Sequence, residues 1–228
     1  MISLNDFLNT LPVTPSLWPT VIAVTKYQPL ATIQEAYDQG YRDFGENILQ
    51  TLQKKMDELS SLPGIRWHFI GNLQTRKLKK LLSLNLSTIQ SISKRAHLEE
   101  CRKMAGQGRL PQLLLQVNVT QSPNQSGFEP NTELLLQVIN EFSDLPIVGL
   151  MAMGPNPHQM AHKKELIQST HEVFHEMKVI FQILKRTHSQ INQLSIGMSN
   201  DYLIAIQYGC TMVRLGTLIF GDKSLNRS

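Results

Sequence analysis

Short apolar runs alternate with amphipathic stretches along this 228-residue chain, which limits it to a sheet of largely parallel strands wrapped in helices. Thr20-Val21-Ile22-Ala23-Val24-Thr25 is brief, continuous and β-branched, as a strand buried on both faces requires. Comparable runs start at Asp43, Trp67, Thr88, Leu113, Pro146, Gln193 and Met212. Between them the spacing predicts a helix through Ile33, Ala36 and Tyr37 that ends near Gly40, and one with Ile48, Leu52, Met56 and Leu59 on a single face. A basic helix follows around Lys77, and another carries Leu98, Cys101 and Ala105 on one side. Leu134, Val138 and Phe142 mark the next, and a long one from Ala161 to Thr187 turns Val173, Met177, Ile180 and Leu184 inward. Eight strands with intervening helices in this length fit a single (β/α)8 barrel over 1–228, with 1–19 as a short N-terminal extension. A doubly wound open sheet is the rival.

The net charge of +4 is mild and its Lys and Arg residues are scattered, which points weakly to anionic small ligands and away from nucleic acid. Cys101 and Cys210 lie far apart and match no metal spacing, so two free thiols in a reducing compartment are expected. No run approaches the roughly 18 apolar residues of a membrane span. The N-terminus lacks a basic segment followed by an apolar core. Together these point to a cytoplasmic protein.

In such a barrel, functional groups stand where strands end and loops begin. Strand one ends in Lys26, which there points into the barrel mouth, partly desolvated. Desolvation favours the free amine, the form that condenses with an aldehyde; a surface lysine at a strand terminus is the plain alternative. Strand seven ends in Gly197-Met198-Ser199-Asn200-Asp201 and strand eight in Gly216-Thr217. Small-residue turns after these two strands commonly build a phosphate cup, although each alone also reads as a helix cap. Arg214 sits inside the run Met212-Val213-Arg214-Leu215 and needs an acceptor: a surface carboxylate in one reading, a ligand's ring nitrogen or carboxylate in the other. Asn47 can hydrogen-bond a ligand or begin its helix. His68 can orient the lysine or serve as a satisfied core histidine.

His171-Glu172-Val173-Phe174-His175 matches a zinc-protease pattern. Both histidines share a helix face with Lys164, Gln168, Lys178 and Gln182, which reads as solvated and not as a cleft. The pair His158 and His162 is equally weak.

Read in order, the strand ends resemble the YggS/PROSC family of pyridoxal 5′-phosphate (PLP) homeostasis proteins. The matching pieces are Val24-Thr25-Lys26, Phe44-Gly45-Glu46-Asn47, Trp67 through Gln74 with Lys77, Gly149-Leu150-Met151-Ala152-Met153, Leu194 through Ser199, and Val213 through Gly221. The resemblance runs from about Val21 to Asp222. It implies a barrel of the alanine racemase N-domain type and a covalent PLP aldimine on Lys26. It places the phosphate near Ser199, Gly216 and Thr217, Arg214 against the pyridine nitrogen and Asn47 near the cofactor, with His68 and Met198 in the same cofactor-binding set. A cationic partner keeps the ring nitrogen unprotonated and the ring a poor electron sink, which disfavours transamination. The implied role is a PLP carrier without catalysis that serves apo PLP-dependent enzymes, as a monomer.

Three departures from the family pattern stand out. The usual N-terminal helix is expected to be truncated or absent. Gln125 stands where the family usually carries a lysine linked to cofactor handling, which leaves transfer to acceptors open, and Asn200 stands where Asp is usual. A racemase-like enzyme is the second reading. It requires an acid/base on the opposite face of the cofactor, and the sequence gives no second domain after the last strand-end motif to supply it. A zinc hydrolase through His171 and His175 ranks third.

Overall fold

The computed structural model describes residues 1–156 and 162–221. Its strands are β1 (Thr20–Val24), β2 (Asp43–Glu46), β3 (Arg66–Phe69), β4 (Thr88–Ile92), β5 (Gln112–Gln116), β6 (Ile147–Met151), β7 (Gln193–Met198) and β8 (Met212–Leu215). They close in sequence order into one parallel barrel, where β1 pairs β8 from Thr20↔Met212 to Ala23↔Leu215. Closure leaves no sheet edge and settles the choice against an open sheet. The helices are α1 (Leu4–Asn9), α2 (Leu30–Asp38), α3 (Leu49–Glu58), α4 (Thr75–Leu82), α5 (Arg95–Met104), α6 (Thr132–Glu141), α7 (Lys163–Thr187), α8 (Tyr202–Gln207) and α9 (Thr217–Phe220).

Alternating strand residues face opposite ways. One set forms a small apolar cluster of Ile22, Leu114, Met151 and Met212. The other packs with the helices in a much larger core that includes Ala23, Phe44, Leu115 and Val213. Gly149 is a packing requirement, because a Cβ there would overlap the Gln193 carbonyl where β6 meets β7.

Several expectations shift in detail. Ala161 lies outside the described residues, and the long helix begins at Lys163; its four expected inward residues are all buried. Ala105 is exposed in a short 3-10 turn, whereas Leu98 and Cys101 are buried. The face of α3 is rotated: Ile48 is 43% exposed at the N-cap, and Leu49, Leu52 and Lys55 turn inward. The N-terminal extension does contain a helix. Ser3 caps α1 through the Asp6 N–H, and Phe7 packs on Tyr202.

Both thiols are buried. Burial pushes Cys101 and Cys210 up to about 12. No described helix is long and apolar enough to cross a membrane.

Candidate functional site

The β1 exit is a tight turn. The Gln28 N–H donates to the Thr25 carbonyl at 2.9 Å, which puts Lys26 and Tyr27 at the two central positions. Tyr27 has φ of 64°, a value this turn normally gives to glycine or asparagine, so backbone strain sits beside the lysine. Lys26 is exposed, not partly desolvated as expected: the turn carries it past the rim.

Behind that turn lies a buried ion pair the strand-end reading missed. Lys55 Nζ reaches Glu46 Oε1 at 2.6 Å and donates to the Thr25 carbonyl at 2.8 Å. Thr25 Oγ1 donates to the same carboxylate oxygen at 2.7 Å. The pair therefore clamps the residue just before Lys26 to β2 and α3. The signal was available, since Lys55 follows Leu52 by three positions and precedes Leu59 by four, on the buried stripe of the helix.

Lys26, Asn47, Met198, Ser199, Arg214, Gly216 and Thr217 all line one cleft of about 520 Å³ at the C-terminal end of the barrel, within the usual range for small-molecule sites. Gly71 also lines it and cannot carry a side chain, because a Cβ there would overlap the Asn47 carbonyl. Gln116, Met151, Met153 and residues 124–126 complete the wall. Gln116 and Met151 end their strands, so the strand-end rule applied to every strand would have found them.

Ser199 Oγ accepts from the Gly216 N–H at 3.2 Å and the Leu218 N–H at 3.3 Å. The turns after β7 and β8 thus bring two backbone donors and a hydroxyl to one spot. Beneath them, Arg214 is buried and donates to the Ser195 carbonyl at 2.9 Å, Ser195 Oγ at 2.6 Å and the Ala152 carbonyl at 2.9 Å. Its acceptors are two backbone carbonyls and a hydroxyl, not a surface carboxylate. Burial lowers the guanidinium to about 10, which still leaves it charged near neutrality. The nearby Asp201 carboxylate offsets part of that cost through space and accepts from the Met198 N–H at 2.5 Å. Burial raises Asp201 above the usual carboxylate range.

The structure does not bring His68 to the cleft. Its ring bonds Asp43 at 2.9 Å and Thr88 at 2.8 Å, the first residues of β2 and β4, so it faces the opposite end of the barrel. It is the satisfied core histidine, and it belongs to a directed chain. Arg214 donates to Ser195 Oγ, Ser195 to Gln90 Oε1 at 2.7 Å, and Gln90 to Thr88 Oγ1 at 3.3 Å. If His68 carries its proton on Nε2, Thr88 donates to its Nδ1 and His68 donates to Asp43. The site arginine is thereby tied through the barrel interior to the far pole.

Burial acts to raise Asp43, but the hydrogen bonds from His68 and Arg66 outweigh it and hold the carboxyl below its ordinary value. A depressed carboxylate stabilises the fold above its unfolded pKa of about 3.9, and that contribution is lost as pH falls through the folded value. The unfolding midpoint of Asp43→Asn should therefore vary less than that of the wild type between about pH 5 and 2, as followed by circular dichroism at stepped pH.

His171 and His175 lie on α7. His171 Nδ1 is 3.0 Å from the Tyr208 hydroxyl, and His175 sets its ring edge-on to the same tyrosine. Among the described residues no group of three His, Cys, Asp or Glu side chains is placed to hold a metal ion. His158 lies outside the described residues.

Residues 11–224 match the family described as "Alanine racemase, N-terminal domain". A "Pyridoxal phosphate homeostasis protein" of Synechocystis sp. is 34% identical over 227 residues, 96% of each chain. One of Schizosaccharomyces pombe is 35% identical over 210 residues, 89% of this chain and 84% of that one. The structure of PipY from Synechococcus elongatus with PLP bound superposes with a TM-score of 0.81 at 33% identity, covering 96% of this chain and 98% of PipY. A barrel with these strand ends, matched over nearly its whole length by such relatives, belongs to the pyridoxal phosphate homeostasis protein family, built on the alanine racemase N-terminal domain.

Proposed function

We propose that this chain binds PLP in the cleft, linked as an imine to Lys26, and acts as a non-catalytic carrier that holds the cofactor for apo PLP-dependent enzymes. The observation that carries the reading is the shared cleft: one exposed lysine, one buried arginine and the Ser199, Gly216 and Thr217 turns line a single small-molecule site.

The donor set fits the group. The hydroxyls of Ser199 and Thr217, with the Gly216 amide that donates to Ser199 Oγ in the empty cleft, suit a phosphate. Arg214, held from below by carbonyls, would face the ring nitrogen as a cation and disfavour its protonation. Asn47 lines the cleft, and its Oδ1 is buried without a hydrogen-bond partner. When bound, PLP supplies a reversible aldehyde, and a cationic floor suits storage better than electron-sink chemistry. Gln125, at the wall, takes a hydrogen bond from Thr120 at 3.1 Å, so the departure from the family's lysine falls on the rim where an acceptor would approach. The proposal includes a cytoplasmic monomer.

The test is a visible spectrum of purified protein with added PLP, then borohydride reduction and peptide mapping. A yellow imine band and a mass fixed on Lys26 are expected; no mass gain, or gain on another lysine, would overturn the reading. Ser199→Ala should weaken PLP retention by about 1–3 kcal/mol by removing one charge-assisted hydrogen bond, as measured by equilibrium dialysis.

A further inference from the structure

Two cations line the cleft, Lys26 and Arg214, and among the described residues no carboxylate lines it. Arg214 is buried, and its three hydrogen-bond acceptors are all neutral. A buried guanidinium held by neutral acceptors alone is costly, so a compensating charge is expected just outside the wall.

Asp201 stands there. It is the N-cap of α8, and its Oδ1 reaches back to β7 to accept from the Met198 N–H at 2.5 Å. Met198 is the register partner of Arg214 where β7 pairs with β8. The other oxygen of the carboxylate abuts the β6 exit, where a Cβ on Gly154 would come within 2.6 Å of Asp201 Oδ2. Gly154 lies two residues past Ala152, whose carbonyl accepts from Arg214. The exits of β6 and β7 and the arginine of β8 thus converge on one half-buried carboxylate, and a glycine leaves the room for it. Asp201 and Arg214 also attract one another through space.

Other ionisable groups near the two cations do not replace it. Cys210, close to Arg214, is pushed up to about 12 and stays a neutral thiol. Behind the Lys26 turn, the Glu46 carboxylate is already paired with Lys55 at 2.6 Å. Resting on the proposed imine at Lys26, we propose that Asp201 is a positioning residue for PLP: it is the counter-charge of Arg214, and through Arg214 it sets the pH at which the imine loses its proton. A protonated imine and a charged guanidinium in one cleft repel each other. A carboxylate beside the guanidinium offsets that repulsion and keeps the imine protonated to higher pH.

The experiment is a spectrophotometric pH titration of the PLP-loaded protein, read as the midpoint at which the visible imine band is lost. Asp201→Asn keeps the size of the side chain and an acceptor for the Met198 N–H, but removes the charge. Its midpoint should fall by about one pH unit, the order expected for one partly screened unit charge. Asp201→Glu keeps the charge and crowds Gly154, so its midpoint should stay close to that of wild type. An unmoved midpoint in Asp201→Asn would overturn the proposal. So would an equal fall in Asp201→Glu, which would trace the effect to the shape of the turn and not to charge. Should Asp201→Asn fail to fold by circular dichroism, Asp201→Ser removes the same charge and has to give the same fall. A failure of the imine assignment appears separately, as the absence of a borohydride adduct on Lys26 in wild type.

Discussion

Lys26→Ala protein mixed with PLP should lack the imine band of wild type, and borohydride should fix no PLP in the cleft. Among the described residues no other lysine lines the cleft. The contacts at Ser199, Gly216 and Arg214 remain, so PLP should still enter weakly and reversibly, detectable as free aldehyde by equilibrium dialysis. A variant that retained the yellow band would disprove the assignment of the lysine. The substitution removes an exposed side chain and should leave the unfolding midpoint within about 0.5 kcal/mol of wild type. Loss of colour without loss of stability separates this residue from those that build the barrel.

The second large effect is expected at Lys55. Lys55→Met removes one partner of a buried ion pair and leaves the Glu46 carboxylate uncompensated, which should destabilise the fold by about 3–5 kcal/mol in urea titrations. The same substitution frees the Thr25 carbonyl next to the lysine turn, so PLP retention should fall with it. Glu46→Gln added to Lys55→Met removes the stranded charge and should restore most of the stability without restoring retention. Equal recovery of both would show that the pair stabilises the fold alone and does not position the turn. The comparison needs the double variant, because neighbours in one network do not add.

The architecture was legible because a buried parallel strand and an amphipathic helix leave different periodic marks. All eight expected strands are present, even β2 with its four residues. Seven of the eight expected site residues line one cleft, because each stands at a strand end and closure of the barrel brings strand ends together. His68 failed for the same geometric reason. It is also near the end of a strand, but its ring turns toward Asp43 and Thr88 at the opposite pole. Which pole an inward residue serves depends on strand stagger, and a single sequence does not encode that locally. Lys55 was missed because a charged residue leaves no apolar mark on a helix stripe. On α3 the apolar stripe passes through Leu49, Leu52 and Lys55, and Ile48 falls outside it at the cap. Lys26 proved more exposed than expected because the turn after β1, with its positive φ at Tyr27, has no glycine to announce it.

The two cysteines have a bearing on what an aldehyde meets in this molecule. Thiolates add to aldehydes, and a sulfur beside the cleft would divert PLP into a hemithioacetal. Neither sulfur lines the cleft, and both are packed in apolar surroundings that keep them protonated. On the proposed reading, an aldehyde held in the cleft meets the Lys26 amine without rivalry from either thiol.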